Sequence, residues 1–195
     1  RRFSFEELMP ESEVIREILV KKTSDPKFID LVIEIFETLN ERIRFLYDRD
    51  HQLGHTYFLH AINYDKLRRV FGDRIIPLLQ EYFYDSWDKI CMVLGCPYDD
   101  GGQPRRIAPA VIDGQYRAPI IQVDSYQKME TLGFDHDDFE SRLDYQVSPL
   151  FTSEKTDQEK LIPFFLGVLN LEAGIYDERE KELEEEIQIS SSERD

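Results

Sequence analysis

Between residues 26 and 47 apolar side chains return every three or four positions, at Phe28, Val32, Ile35, Phe36, Leu39, Ile43 and Leu46. That spacing predicts one long amphipathic helix with a core-facing stripe. Asp25-Pro26 marks its start: Asp is a good N-cap, and proline is tolerated at the first helical position because no N–H is needed there. Upstream, Val14, Ile15, Ile18 and Leu19 predict a shorter helix capped by Ser12, and Phe3 and Phe5 alternate with Ser4 and Glu6 as in a short strand closed by Pro10. Downstream, residues 56–59 read as a short extended piece or a first helical turn. Asn63 caps a short helix through Leu67, Val70 and Phe71. Gly72-Asp73 predicts a break, followed by a helix from Arg74 to Leu94 with Pro77 in its first turn and Gly95 as a left-handed C-terminal cap. Residues 11–95 therefore read as a compact four-helix unit.

The texture changes after Gly95. Residues 96–109 hold three prolines and two glycines and read as loop. Ala110-Val111-Ile112 and Ile120-Ile121-Gln122-Val123 are β-prone, with Asp113-Gly114 a tight-turn signal between them. Helices are expected at 125–132 and 137–143, a strand at Tyr145–Ser148, and a helix from Gln158 to Leu171 interrupted near Pro163 and Gly167. From Asp177 onward nine acidic residues face three basic ones, which predicts a frayed or disordered tail. The organisation expected is thus 1–10, a four-helix unit at 11–95, a smaller α+β extension at 96–176, and an acidic tail at 177–195.

Composition narrows the function classes. With 41% hydrophobic and 12% aromatic residues in 195, the chain can bury a core, and the pattern makes it mainly α. A net charge of −16 argues against its whole surface lying on nucleic acid or anionic lipid, which needs clustered Lys and Arg. No apolar run approaches the roughly 20 residues of a membrane span. The two cysteines, Cys91 and Cys96, lack ligand-spaced partners, so a reduced, cytoplasmic protein without membrane contact is expected. The opening Arg1-Arg2-Phe3-Ser4-Phe5, with no initiator Met, reads as a chain cut from a longer one.

The least generic stretch is Arg49-Asp50-His51-Gln52-Leu53-Gly54-His55-Thr56-Tyr57-Phe58. His51 and His55 have the i, i+4 spacing of a helical zinc motif, with His60 as a conceivable third ligand. Gln52 stands where the water-activating glutamate belongs, and an amide cannot take that proton; Gly54 also weakens a helix there. No metal is expected, and polar residues at a turn are the simpler reading. Acidic pairs such as Asp99-Asp100 and Asp137-Asp138 read as solvated surface. No glycine is followed by Lys-Ser or Lys-Thr, and no apolar strand ends in an Asp-Glu pair that would hold Mg²⁺, so these residues are not a complete nucleoside triphosphatase.

Three motifs in order nevertheless resemble a known family. Residues Arg1 to Pro10 look like the segment that ends the large subdomain in AAA+ proteins of the McrB type, the NTP-driven motors of modified-DNA restriction. Leu53-Gly54-His55-Thr56-Tyr57-Phe58 resembles that family's Gly-His-Ser-Tyr-Phe lid motif, with Thr56 keeping the serine hydroxyl, and Ile75 to Asp85 resembles the following lid helix. The resemblance spans residues 1–95. It implies an AAA+ C-terminal helical lid with a short preceding strand and an α+β extension. By the same resemblance Arg1 and Arg2 match arginines that reach a neighbouring subunit's γ-phosphate. Gly54 and His55 match the lid turn near bound nucleotide, Arg49 is a further sensor-like contact, and Glu81, Tyr82 and Tyr84 match packing and lid–lid positions. The implied parent binds GTP or ATP with Mg²⁺, forms a ring of like subunits (a hexamer), contacts DNA through other domains and drives an McrC-like nuclease, while this stretch alone binds none of these cofactors. Two rivals stand beside it: a non-catalytic acidic helical interaction module, and a metal-dependent hydrolase built on His51, His55 and His60.

Overall fold

The computed structural model describes residues 9–84, 86–96, 110–112, 115–125, 143–152 and 157–169. Expectations for Arg1, Arg2, the strand at 3–5, the two helices placed between 125 and 143, and the acidic tail fall wholly or mostly outside those residues.

Helix α1 (Ser12–Leu19) buries Ile15 and Leu19. Ser12 is its first helical residue and not its cap: Glu11 holds the cap position and makes no side-chain cap bond. Helix α2 (Pro26–Leu46) is the spine of the molecule. Asp25 accepts a hydrogen bond from the backbone N–H of Phe28 at 3.1 Å, as its position ahead of Pro26 predicts. Phe28, Val32, Ile35, Phe36, Leu39 and Ile43 are all buried, a stripe wide enough to be covered from several sides.

The run from Tyr64 to Tyr82 departs from expectation. Helix α3 (Tyr64–Val70), capped by Asn63 on Lys66 N at 2.9 Å, passes without interruption through a π turn (Phe71–Ile75) into α4 (Ile76–Tyr82). Gly72-Asp73 does not break it. A Cβ on Gly72 would run into the carbonyl oxygen of Phe151, so this glycine serves a close approach of backbones. The π turn ends two residues before Pro77, which has no N–H and crowds the preceding turn, and the wider turn accommodates it. The break falls later. Phe83 leaves helical geometry at φ −106°, ψ 36°, and α5 (Trp87–Val93) starts anew. Gly95, at φ +83°, ends it in the left-handed region as predicted.

Beyond these helices stand two antiparallel strand pairs. Strand β1 (Ala110–Ile112) pairs with β2 (Gln115–Arg117), Val111 opposite Tyr116, so the tight-turn signal leads to 115–117 and not to 120–123. Strand β3 (Ile121–Ser125) pairs instead with β4 (Leu143–Val147), Val123 opposite Tyr145. Short α6 (Pro149–Thr152) and α7 (Gln158–Val168) follow. Pro163 does not interrupt α7; its carbonyl accepts the N–H of Ala118 at 2.9 Å.

One continuous core joins these parts. Phe71 of the π turn meets Phe165 and Phe151 with ring centroids 5.6 and 6.2 Å away, and Trp87 stacks on Tyr145 at 5.9 Å. Arg42 on α2 donates to the carbonyls of Val93 and Val168 at 3.0 and 2.7 Å, satisfying the last turns of α5 and α7 together. Burial pulls its pKa below the ordinary guanidinium value. Arg68, fully buried, pairs with Asp65 at 2.9 Å and reaches the carbonyls of Leu150 and Phe151 at 3.4 and 3.5 Å. Burial opposes ionisation of Asp65, but Arg68 and Arg69 outweigh it and hold the carboxyl below its usual range.

Candidate functional site

The turn after α2 is built by two polar side chains. Asp48 accepts hydrogen bonds from the N–H groups of Asp50 and His51 at 2.8 and 2.9 Å, an Asx-type turn that reverses the chain at the helix end. The same oxygen lies 2.7 Å from His51 Nδ1. That bond is the main reason the Asp48 carboxyl titrates below its ordinary value; desolvation opposes it, and the backbone donors reinforce it. The His51 ring sits edge-on to Tyr47 and Tyr82, with centroids 4.3 and 4.9 Å away. His51 is thereby committed to holding the turn.

Five residues further, Asn40 clamps the backbone of Leu53. Its Nδ2 donates to the Leu53 carbonyl at 3.0 Å and its Oδ1 accepts the Leu53 N–H at 2.6 Å. Asn40 is 4% exposed and Leu53 is fully buried, so both backbone groups depend on this amide for partners. The clamp sets where Gly54 emerges, and a 3₁₀ turn (His55–Tyr57) follows, closed by Tyr57 N on Gly54 O at 3.2 Å. Phe58 anchors its far end, buried edge-on to Phe36 at 5.4 Å.

The outcome is a pocket of about 280 Å³ lined by Arg49, Asp50, Gln52, Gly54, His55 and Thr56 together with Met9 and Pro10. Arg49, Gly54 and His55 are thus brought together. Arg1 and Arg2 lie outside the described residues. His55 Nδ1 is buried and has no hydrogen-bond partner among the described residues; a buried, unpaired ring nitrogen in native structures calls for an explanation. Gly54 carries a second signal. Its backbone is ordinary (φ −64°, ψ 143°), and a Cβ there would meet nothing closer than Thr56 Oγ1 at 3.5 Å. The fold does not require glycine at this position.

Residues outside the sequence reading shape the site. Asn40 carried a visible signal, a lone polar residue on the apolar stripe of α2 between Leu39 and Ile43. Asp48 resembled any acidic residue after a helix. Among the described residues no three His, Cys, Asp or Glu side chains converge as a metal site would require, and no helix is long and apolar enough to cross a membrane.

Residues 31–91 match the family model described as the McrB alpha-helical lid domain, a span that begins in α2, includes the whole Asp48–Thr56 turn and ends in α5. No curated protein matches the chain significantly. The helices that present Arg49, Gly54 and His55 lie within that matched span, and this part of the chain is similar to the α-helical lid of McrB-type proteins.

Proposed function

We propose that this lid closes over the nucleotide of an AAA+ motor, with the pocket of Arg49, Gly54 and His55 as its contact surface. The observation that carries the reading is the buried His55 Nδ1, without a partner among the described residues, on a residue that lines a pocket beside a glycine the described fold does not need. An imidazole nitrogen can donate to or accept from a base, a ribose hydroxyl or a phosphate, and a residue without Cβ lets a ligand approach the backbone. Arg49 and Asp50 place opposite charges in the same pocket. Such a near-neutral lining suits base or ribose better than a triphosphate carrying several negative charges.

In this reading the phosphate cradle and the Mg²⁺-holding carboxylates come from a large subdomain outside these 195 residues, where the motifs for both are missing. GTP or ATP is the nucleotide. Like subunits form a ring, Arg1 and Arg2 reach the neighbour's γ-phosphate, and nucleotide-dependent lid rotation drives an McrC-like nuclease on DNA in the cytoplasm. A ligand shifts the lid only as far as its affinity differs between lid positions.

The test uses the full AAA+ protein bearing this lid. His55→Ala and Arg49→Ala are expected to weaken nucleotide affinity by about tenfold each, the loss of one good polar contact. Arg1→Ala or Arg2→Ala is expected to lower turnover, on the order of 10³-fold for a trans-acting arginine, with less effect on affinity. Wild-type affinity in both pocket variants would remove the pocket from the site, and wild-type turnover in both arginine variants would remove their trans-acting role. The isolated chain is expected to show no hydrolysis.

A further inference from the structure

Among the described residues, helix α2 leaves one strip of its surface uncovered. Thr38, Glu41, Phe45 and Leu46 on or at the end of α2, with Met92 on α5, line a groove of about 380 Å³ on the side of Arg42. Phe45 is 87% exposed and Met92 38%, on two helices whose other large apolar side chains are mostly buried. Arg42 is held by the carbonyls of Val93 and Val168. The exposed charges around the groove are chiefly acidic. Glu34, Glu37 and Glu41 run along this side of α2 and Asp88 lies one turn before Met92, against Arg44 and Lys89.

We propose that this groove docks a helical segment of a partner protein that presents apolar side chains flanked by lysine or arginine. The exposed ring and the thioether supply the apolar anchor, and methionine adapts its shape to the side chain it receives. The carboxylates select the charge of what surrounds that anchor: they attract a basic flank and repel an acidic one. This surface is distinct from the Arg49–His55 pocket and does not depend on nucleotide binding there.

The probe is a fluorescein-labelled amphipathic helical peptide with leucines on one face and lysines on the other, titrated with the 195-residue chain by fluorescence anisotropy, beside a twin in which glutamate replaces lysine. The lysine peptide is expected to bind and the glutamate twin not. Phe45→Ser combined with Met92→Ser is expected to weaken binding by about tenfold or more, as loss of a central anchor does. Tyr84→Ser, an exposed aromatic elsewhere, leaves it unchanged. Glu37→Lys with Glu41→Lys weakens binding and flattens its salt dependence. Phe45→Ser alone, at a position that unpacks nothing, carries the same test if the double variant loses its fold. Equal binding by wild type and the Phe45 variants, or by both peptides, overturns the proposal. Phe45-dependent self-association in sedimentation also overturns it, because the face then belongs to a second copy of this chain.

Discussion

Two places in the molecule use glycine for opposite reasons. Where the C-terminal elements meet the N-terminal helices, Gly72, Gly95 and Gly167 have no room for a side chain: a Cβ would collide with the carbonyl oxygens of Phe151, Gly167 and Ala118 respectively. Those glycines exist because the chain packs against itself. At Gly54 the backbone is unstrained and the nearest atom to a Cβ is a threonine hydroxyl at ordinary contact distance. The seam is closed and explained from within; the turn is open and its glycine is not. The difference separates a glycine required by folding from one that the described fold does not require.

The comparison breaks most forcefully at the seam. Gly167→Val sets a branched side chain against backbone that cannot yield, and overpacking of this kind typically costs about 1–3 kcal/mol, more where backbone is the obstacle. A fall in melting temperature of roughly 3–10 °C is expected for a chain of this size, and an unchanged melt would mean that α7 does not pack as described. Next comes Asn40→Ala, which strips the buried Leu53 N–H and carbonyl of their partners. A destabilisation of about 2 kcal/mol is expected, with Asn40→Asp failing to rescue it because a carboxylate cannot donate to the carbonyl. Denaturant unfolding checks both variants.

A smaller effect tests the Asp48 turn. Its folded carboxyl titrates below the ordinary value, so the stabilisation is complete above the unfolded pKa and is lost as pH falls through the lower folded one. Asp48→Asn should therefore lower the melting temperature at neutral pH, and the gap to wild type should narrow on acidification below about pH 4. A gap independent of pH would detach the turn from that ionisation. The smallest effect sharpens the comparison most. Gly54→Ala is expected to leave stability unchanged or to raise it by about 0.5 kcal/mol, since alanine takes this backbone without strain and narrows the unfolded ensemble. In the full AAA+ protein the same change is expected to weaken nucleotide binding. A strong loss of stability would put Gly54 in the same class as the seam glycines.

Local signals were legible and tertiary ones were not. Asp25, Asn63 and Gly95 act through groups within a few residues of themselves, and each caps the helix its neighbours predict. Gly72-Asp73 misled because the cause of that glycine is Phe151, far away in sequence. Pro163 misled likewise: the helix around it is held in place by packing against residues 117–118, which propensity does not see. At the candidate site the stretch from Arg49 to Phe58 drew attention to Arg49, Gly54 and His55, and only the fold added Met9 and Pro10 to the same pocket. Asn40 was visible as an oddity on an apolar face, but its partner, the backbone of Leu53, was not.

The guanidinium of Arg42 has a mechanical corollary. It grips the closing turns of two helices from the flank of a third, near the end that feeds the Asp48 turn. A pull on α7 is thus transmitted through one side chain to the segment of α2 that leads into the Asp48 turn. Movement of α2 would therefore be felt at the ends of α5 and α7 together, which makes Arg42 the place where a single substitution should uncouple the three helices.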